Sequence, residues 1–169
     1  MRRFLLVVLS VLVVMLTSCT TMGSEKASPE LLSMAVVIDV PGSSHDDLFV
    51  KANSWMVDTF KSAKSVIQYT DKEAGIVKGK YVQRLPFGLL GDYMDVTSTV
   101  TVEIKEGKAR VSFGDANYSQ TVTVYSMGGS TSTKEGVVED LKTITKVRSD
   151  WEMLAVSLES ALTSQAKNW

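Results

Sequence analysis

Residues 96–113 read VTSTVTVEIKEGKARVSF. Val96, Val100, Val102 and Ile104 alternate with Thr97, Thr99, Thr101, Glu103 and Lys105. Ala109, Val111 and Phe113 alternate with Lys108, Arg110 and Ser112. Successive side chains of a strand point to opposite faces, so each half of the stretch has one apolar and one polar face. A two-residue turn at Glu106-Gly107 brings the halves into one register. Ile104 then faces Ala109, Val102 faces Val111, Val100 faces Phe113, and on the polar side Glu103 faces Arg110. A one-residue slip would turn every apolar side chain outward. The expectation is an antiparallel sheet buried on one face and solvated on the other.

Upstream, Met34, Val36, Ile38 and Val40 form the apolar face of a strand that Pro41-Gly42 ends. Ser44 with Asp47 reads as a capping box, and Asp46 suits the positive end of the helix dipole. Leu48, Ala52, Trp55, Met56, Thr59, Phe60 and Ala63 recur at steps of three and four, the apolar face of a helix of about five turns. Val66–Thr70 is a short strand, Asp71–Gly75 a turn, and Ile76–Arg84 the returning strand. Val77 and Tyr81 lie on one of its faces, with Lys78, Lys80 and Arg84 on the other. Downstream, Gln120–Tyr125 extends the sheet and Met127–Thr133 reads as a loop. Glu135–Val147 fits a short helix or a strand equally. Ser149 with Glu152 opens a last helix whose apolar face is Trp151, Leu154, Ala155, Leu158, Ala161 and Leu162. The class is α+β: strand, helix, four or five strands, helix.

The chain has 169 residues, room for one domain of ordinary size. Its start is an address. Arg2 and Arg3 precede an apolar run from Phe4 to Leu16 that is too short for a bilayer core but fits a secretory signal. Leu16-Thr17-Ser18-Cys19 resembles the bacterial lipobox, with cleavage between Ser18 and Cys19 and lipid on Cys19, the chain's single cysteine. This divides the chain into a signal at 1–18, the lipidated cysteine and a flexible tether at 19–30, and one folded domain at 31–169. Without Arg2 and Arg3 the mature chain carries 16 basic and 19 acidic side chains, a net charge of −3. Attachment to anionic membrane then rests on the lipid rather than on charge. Thr20 and Thr21, with no aspartate after the cysteine, resemble the start of proteins sorted to the outer membrane, so the expected place is the bacterial envelope, facing the periplasm.

Ser62-Ala63-Lys64-Ser65-Val66-Ile67-Gln68-Tyr69 and Asp71-Lys72-Glu73-Ala74-Gly75-Ile76-Val77-Lys78-Gly79 resemble the signature of a bacterial envelope family, the domain-of-unknown-function family 4468. Ile104-Lys105-Glu106-Gly107-Lys108-Ala109-Arg110 is similar to its second motif, and Trp55 stands where that family often has an aromatic. The resemblance covers about residues 34–115. It implies a fold like that of the TATA-binding protein, a curved antiparallel sheet with two helices packed on one face. It implies no activity, cofactor or catalytic residue. DNA binding by such a sheet needs a basic, wedge-bearing surface, and this acidic, exported chain is not expected to bind nucleic acid.

Little in the sequence points to catalysis. His45-Asp46-Asp47 lie consecutively at a helix start, where side chains fan out rather than converge. The single histidine has no Gly-x-Ser-x-Gly elbow to serve. No metal site or cofactor is expected, and the protein is read as a non-enzyme. Two binding candidates remain. One is the apolar stretch Leu85–Met94 between two strands, with Phe87, Leu89, Leu90 and Tyr93 as anchors for a partner. The other is the polar sheet face of Gln68, Lys78, Lys80, Arg84, Thr97, Thr99, Thr101, Glu103 and Arg110. The leading function is a lipid-anchored, non-catalytic module that binds another envelope protein. An alternative is a carrier of an apolar ligand between sheet and last helix, lined by Trp55, Phe60, Phe113 and Trp151. A hydrolase with an unrecognised site is the third.

Overall fold

The computed structural model describes residues 24–60, 66–87, 92–124 and 130–164. The signal segment, Cys19 and the first part of the tether lie outside them.

β1 (Met34–Asp39) leads to helix α1 (His45–Thr59). Strands β2 (Val66–Asp71), β3 (Ile76–Phe87), β4 (Asp92–Lys105), β5 (Lys108–Val124) and β6 (Ser130–Val137) follow, then helix α2 (Leu141–Thr163). All pairings are antiparallel, in the order β2-β3-β4-β5. The outer edge of β5 is shared: β1 pairs with residues 108–113 and β6 with residues 117–124. The fold is α+β with an antiparallel sheet and two helices.

The hairpin that decided the fold has the expected register, with Ile104 opposite Ala109, Val102 opposite Val111, Val100 opposite Phe113 and Glu103 opposite Arg110. Beyond Phe113 the pairing slips: Thr99 meets Gly114 but Thr97 meets Asn117. The extra residue is Asp115, whose φ of 51° places it in the left-handed region. Such a bulge reverses which face later residues occupy. Val111 and Phe113 point inward before it, Ala116 and Gln120 after it.

Both helices cover the inner face. α1 starts at Ser44, whose hydroxyl accepts the Asp47 N–H at 3.2 Å. α1 ends at Thr59 with Phe60 as its C-cap; Ala63, expected on its apolar face, falls outside the described residues. α2 runs antiparallel to α1, with Trp55 Nε1 donating to Ser157 Oγ at 3.1 Å and Lys51 Nζ to the Leu162 carbonyl at 3.2 Å. Trp151 is fully buried, stacks on Phe113 at 5.8 Å and donates to Ser98 Oγ at 3.2 Å. That bond explains a serine on an otherwise apolar strand face.

Several sequence expectations need correction. α2 begins at Leu141, not at Ser149: Asp140 is the N-cap and accepts the Thr143 N–H at 2.8 Å. The stretch that fitted helix or strand is both, strand to Val137 and helix from Leu141. Residues 130–133, expected as loop, belong to β6. β3 continues past Arg84 to Phe87, and Asp92–Met94 already belong to β4, so the apolar stretch is the end of a long hairpin rather than a connecting loop.

The tether also differs from expectation. Ala27 N–H donates to the Glu139 carbonyl at 2.7 Å and Leu141 N–H to the Glu25 carbonyl at 2.7 Å; Lys26 pairs with Glu139 at 3.0 Å. A 3-10 turn at Pro29–Leu32 follows. One Arg148 nitrogen faces the carbonyls of Glu30, Leu31 and Ser33 at 3.5, 3.2 and 2.6 Å. Residues from Glu25 on are therefore strapped to the start of α2. Asp140→Ala removes the cap beneath this strap and is expected to cost about 1 kcal/mol, read as a lower denaturation midpoint at unchanged slope.

Candidate functional site

The uncovered sheet face is built in cross-strand rows. Lys78, Thr101, Ser112 and Ala35 form one; Arg84, Asp95, Ser119 and Glu135 form another. Arg84 Nε donates to Asp95 at 2.9 Å, and its guanidinium stands 6.0 Å from the centre of the Tyr93 ring. Asp95 holds the Arg84 guanidinium still further above its usual range. Arg110 Nε donates to Glu103 at 2.7 Å, Lys80 Nζ to Thr99 Oγ1 at 3.2 Å, and Ser119 Oγ to Glu135 at 3.3 Å. Gln68 is the bulged residue of β2; its neighbour Tyr69 is the residue that pairs with Lys78.

Of the predicted binding residues, Lys78, Lys80, Arg84 and Arg110 thus share this face, joined by Tyr93. Phe87 sits at the same hairpin end on the opposite face, since Pro86 pairs with Tyr93 and Phe87 with Asp92. Leu89 and Leu90 lie outside the described residues. Sequence reasoning missed Asp95, Ser119 and Glu135, and also Val37 and Val137, which are 60% and 58% exposed on the two strands, β1 and β6, that share one sheet edge. The Asp115 bulge hides the alignment of Ser119 and Glu135 with Arg84. The face is a mosaic of ion pairs, threonines and isolated apolar side chains.

Trp55, Phe60, Phe113 and Trp151, read as lining an apolar cavity, lie between the sheet and the helices. They are buried in the core, Phe113 against Trp151 and Trp55 against Phe60 at 6.3 Å. Two depressions adjoin the predicted binding residues. A 210 Å³ hollow on the open face is bounded by Val37, Glu103, Lys105 and Arg110. A groove of 460 Å³ runs between the β3–β4 hairpin end and the first turns of α2, bounded by Leu85, Phe87, Met94, Gln120, Thr143 and Lys146.

At the other end of the sheet, the family-like motifs meet the start of α1. His45 N–H donates to Glu106 at 2.9 Å, and Asp46 pairs with Lys72 at 2.9 Å. Lys72 holds the Asp46 carboxyl below the usual range. Asp47 pairs with Lys51 at 3.0 Å. These contacts tie a helix to two hairpin turns, which is structural work. Among the described residues no group of three or more His, Cys, Asp or Glu could hold a metal ion. No helix among them is long and apolar enough to cross a membrane.

A family model described as a domain of unknown function (DUF4468) with TBP-like fold matches residues 35–119. The chain belongs to this family. Its match runs from β1 to just past the β5 bulge and takes in both motifs quoted above. Two solved structures are similar. A DUF4468 family protein from Bacteroides ovatus is 14% identical, with a TM-score of 0.57 over 88% of this chain and 95% of that one. A TBP-like protein from Parabacteroides distasonis is 11% identical, with a TM-score of 0.55 over 84% and 98%. At such identities the likeness is one of fold. No curated protein matches the chain.

Proposed function

We propose that this DUF4468 protein is a lipid-anchored envelope lipoprotein, attached through Cys19, whose open sheet face binds another envelope protein without catalysis. The observation that carries the reading is the bare polar face itself. Both helices pack on the inner side, which leaves β3, β5 and β6 presenting exposed Lys78, Arg84, Arg110 and Val137 together. Paired charges around isolated apolar side chains suit a wet, specific protein interface better than a small-molecule pocket. The face is acidic in part, and its arginines are matched by carboxylates, which disfavours a phosphate backbone as partner. Export and the lipid on Cys19 would place this face outside the cytoplasm, in the outer membrane toward the periplasm.

The test is mass spectrometry of the lipid-anchored protein, crosslinked in cells and gently extracted. One protein in fixed ratio is expected, and it should be lost in the double variant Lys78→Glu, Lys80→Glu. Retention of the partner by that variant would remove the open face from the reading. A bound apolar small molecule with no protein would replace it with the carrier, sited at the groove beside α2 rather than at the four core aromatics.

A further inference from the structure

The hairpin end farthest from the Glu106–Gly107 turn carries an aromatic on each face. Phe87 is 42% exposed on the inner side and Tyr93 57% exposed on the outer side. Beside them, exposed Lys142 and Lys146 stand one helical turn apart at the start of α2, facing the same groove. Neither lysine pairs with a carboxylate among the described residues. The nearby acids are partly engaged: Asp140 caps α2 and Glu139 holds Lys26. Ser24 bounds this groove too. The strap that begins at Glu25 leaves residues 20–23 between Ser24 and Cys19, five Cα steps that reach at most about 18 Å.

We infer that this end of the domain rests on the lipid surface in which the chain is anchored, with Phe87 and Tyr93 in the headgroup region and Lys142 and Lys146 on lipid phosphates. The inference rests on the lipid at Cys19 proposed above. Given that anchor, the short reach holds this end, and no other, close to the bilayer. The amphipathic Tyr93 ring and long-stemmed lysines favour the membrane–water boundary, the apolar Phe87 ring suits the headgroup–acyl boundary, and lysines near the surface are drawn to anionic lipid. The sheet then stands end-on to the membrane. Its open face is held upright, accessible from the side.

The experiment uses the full chain, lipidated in a bacterial host and reconstituted in vesicles of phosphatidylethanolamine and phosphatidylglycerol. Cys19 is occupied by lipid, so single new thiols can carry an environment-sensitive fluorophore: Phe87→Cys, Tyr93→Cys, Lys146→Cys and, at the far end of β4, Lys105→Cys. A lipid-borne quencher is expected to dim the labels at 87, 93 and 146 and to spare the one at 105. Tyr93→Cys reports from the same end if Phe87→Cys does not fold. Equal quenching at 93, 146 and 105 on a chain whose mass shows the lipid would overturn the inference and leave the anchor standing. A mature chain without lipid on Cys19 would overturn both.

Discussion

Trp151→Ala is expected to lower the unfolding free energy by about 3–5 kcal/mol, the cost of deleting a large buried aromatic. Trp151 lies at the centre of the helix–sheet contact, fully buried, stacked on Phe113 and bonded to Ser98. Its removal opens a cavity on the sheet side and leaves the Ser98 hydroxyl without its donor. α2 is 23 residues long and docks by one apolar stripe, so a gap in mid-stripe acts on the whole helix. Urea denaturation followed by circular dichroism measures the loss. Trp151→Phe keeps the stack but not the hydrogen bond and should cost about 1–2 kcal/mol. Equal losses for the two variants would show that the ring contact carries little.

Gly75→Ala is expected to cost at least about 3 kcal/mol, from two sources. The residue has a φ of +67°, where a Cβ costs about 1–2 kcal/mol. A Cβ there would also lie 2.5 Å from the Ile104 carbonyl oxygen and 2.6 Å from His45 Nε2. The first of these is backbone and cannot swing away, because the Gly75 carbonyl accepts the Ile104 N–H at 2.7 Å and holds the turn on the strand. Gly42→Ala separates the two sources: φ is +80° but nothing lies within 4 Å. It should show the backbone cost alone, about 1–2 kcal/mol. Thermal unfolding of both variants measures the difference, and equal shifts would refute the contact argument.

The parts of the fold legible in the sequence were those where burial on one side imposed a period. Val96–Phe113 could be placed to the residue because its two halves agree on both faces. The Ser44 cap and the first helix followed in the same way. β6 was missed because Ser130–Val137 carries no apolar alternation; it is an edge strand held by backbone pairing to β5. The first turns of α2 were missed because Thr143, Ile144, Thr145 and Val147 are β-branched and favour strands. Burial of Ile144 and Val147 against the sheet overrides that preference. Pro86 lies inside β3 opposite Tyr93, near the end of a long hairpin, where a missing N–H is tolerated. For the site, the polar face was legible from alternation alone. Its arrangement into rows was not, because one residue at Asp115 shifts the second half of β5 against β4.

The strap from Glu25 to Ser33 also decides how the domain bears load. A pull applied at the N-terminus first meets the hydrogen bonds to Glu139 and Leu141, then the Arg148 contacts. Only behind these lies β1, six residues paired along an open edge and easily peeled one bond at a time. Tension thus enters through the helix that seals the core, and the vulnerable edge strand sits in the slack behind it. Resistance to extraction is a matter of rates rather than equilibrium. Arg148, remote from the open face, is the last hold before β1.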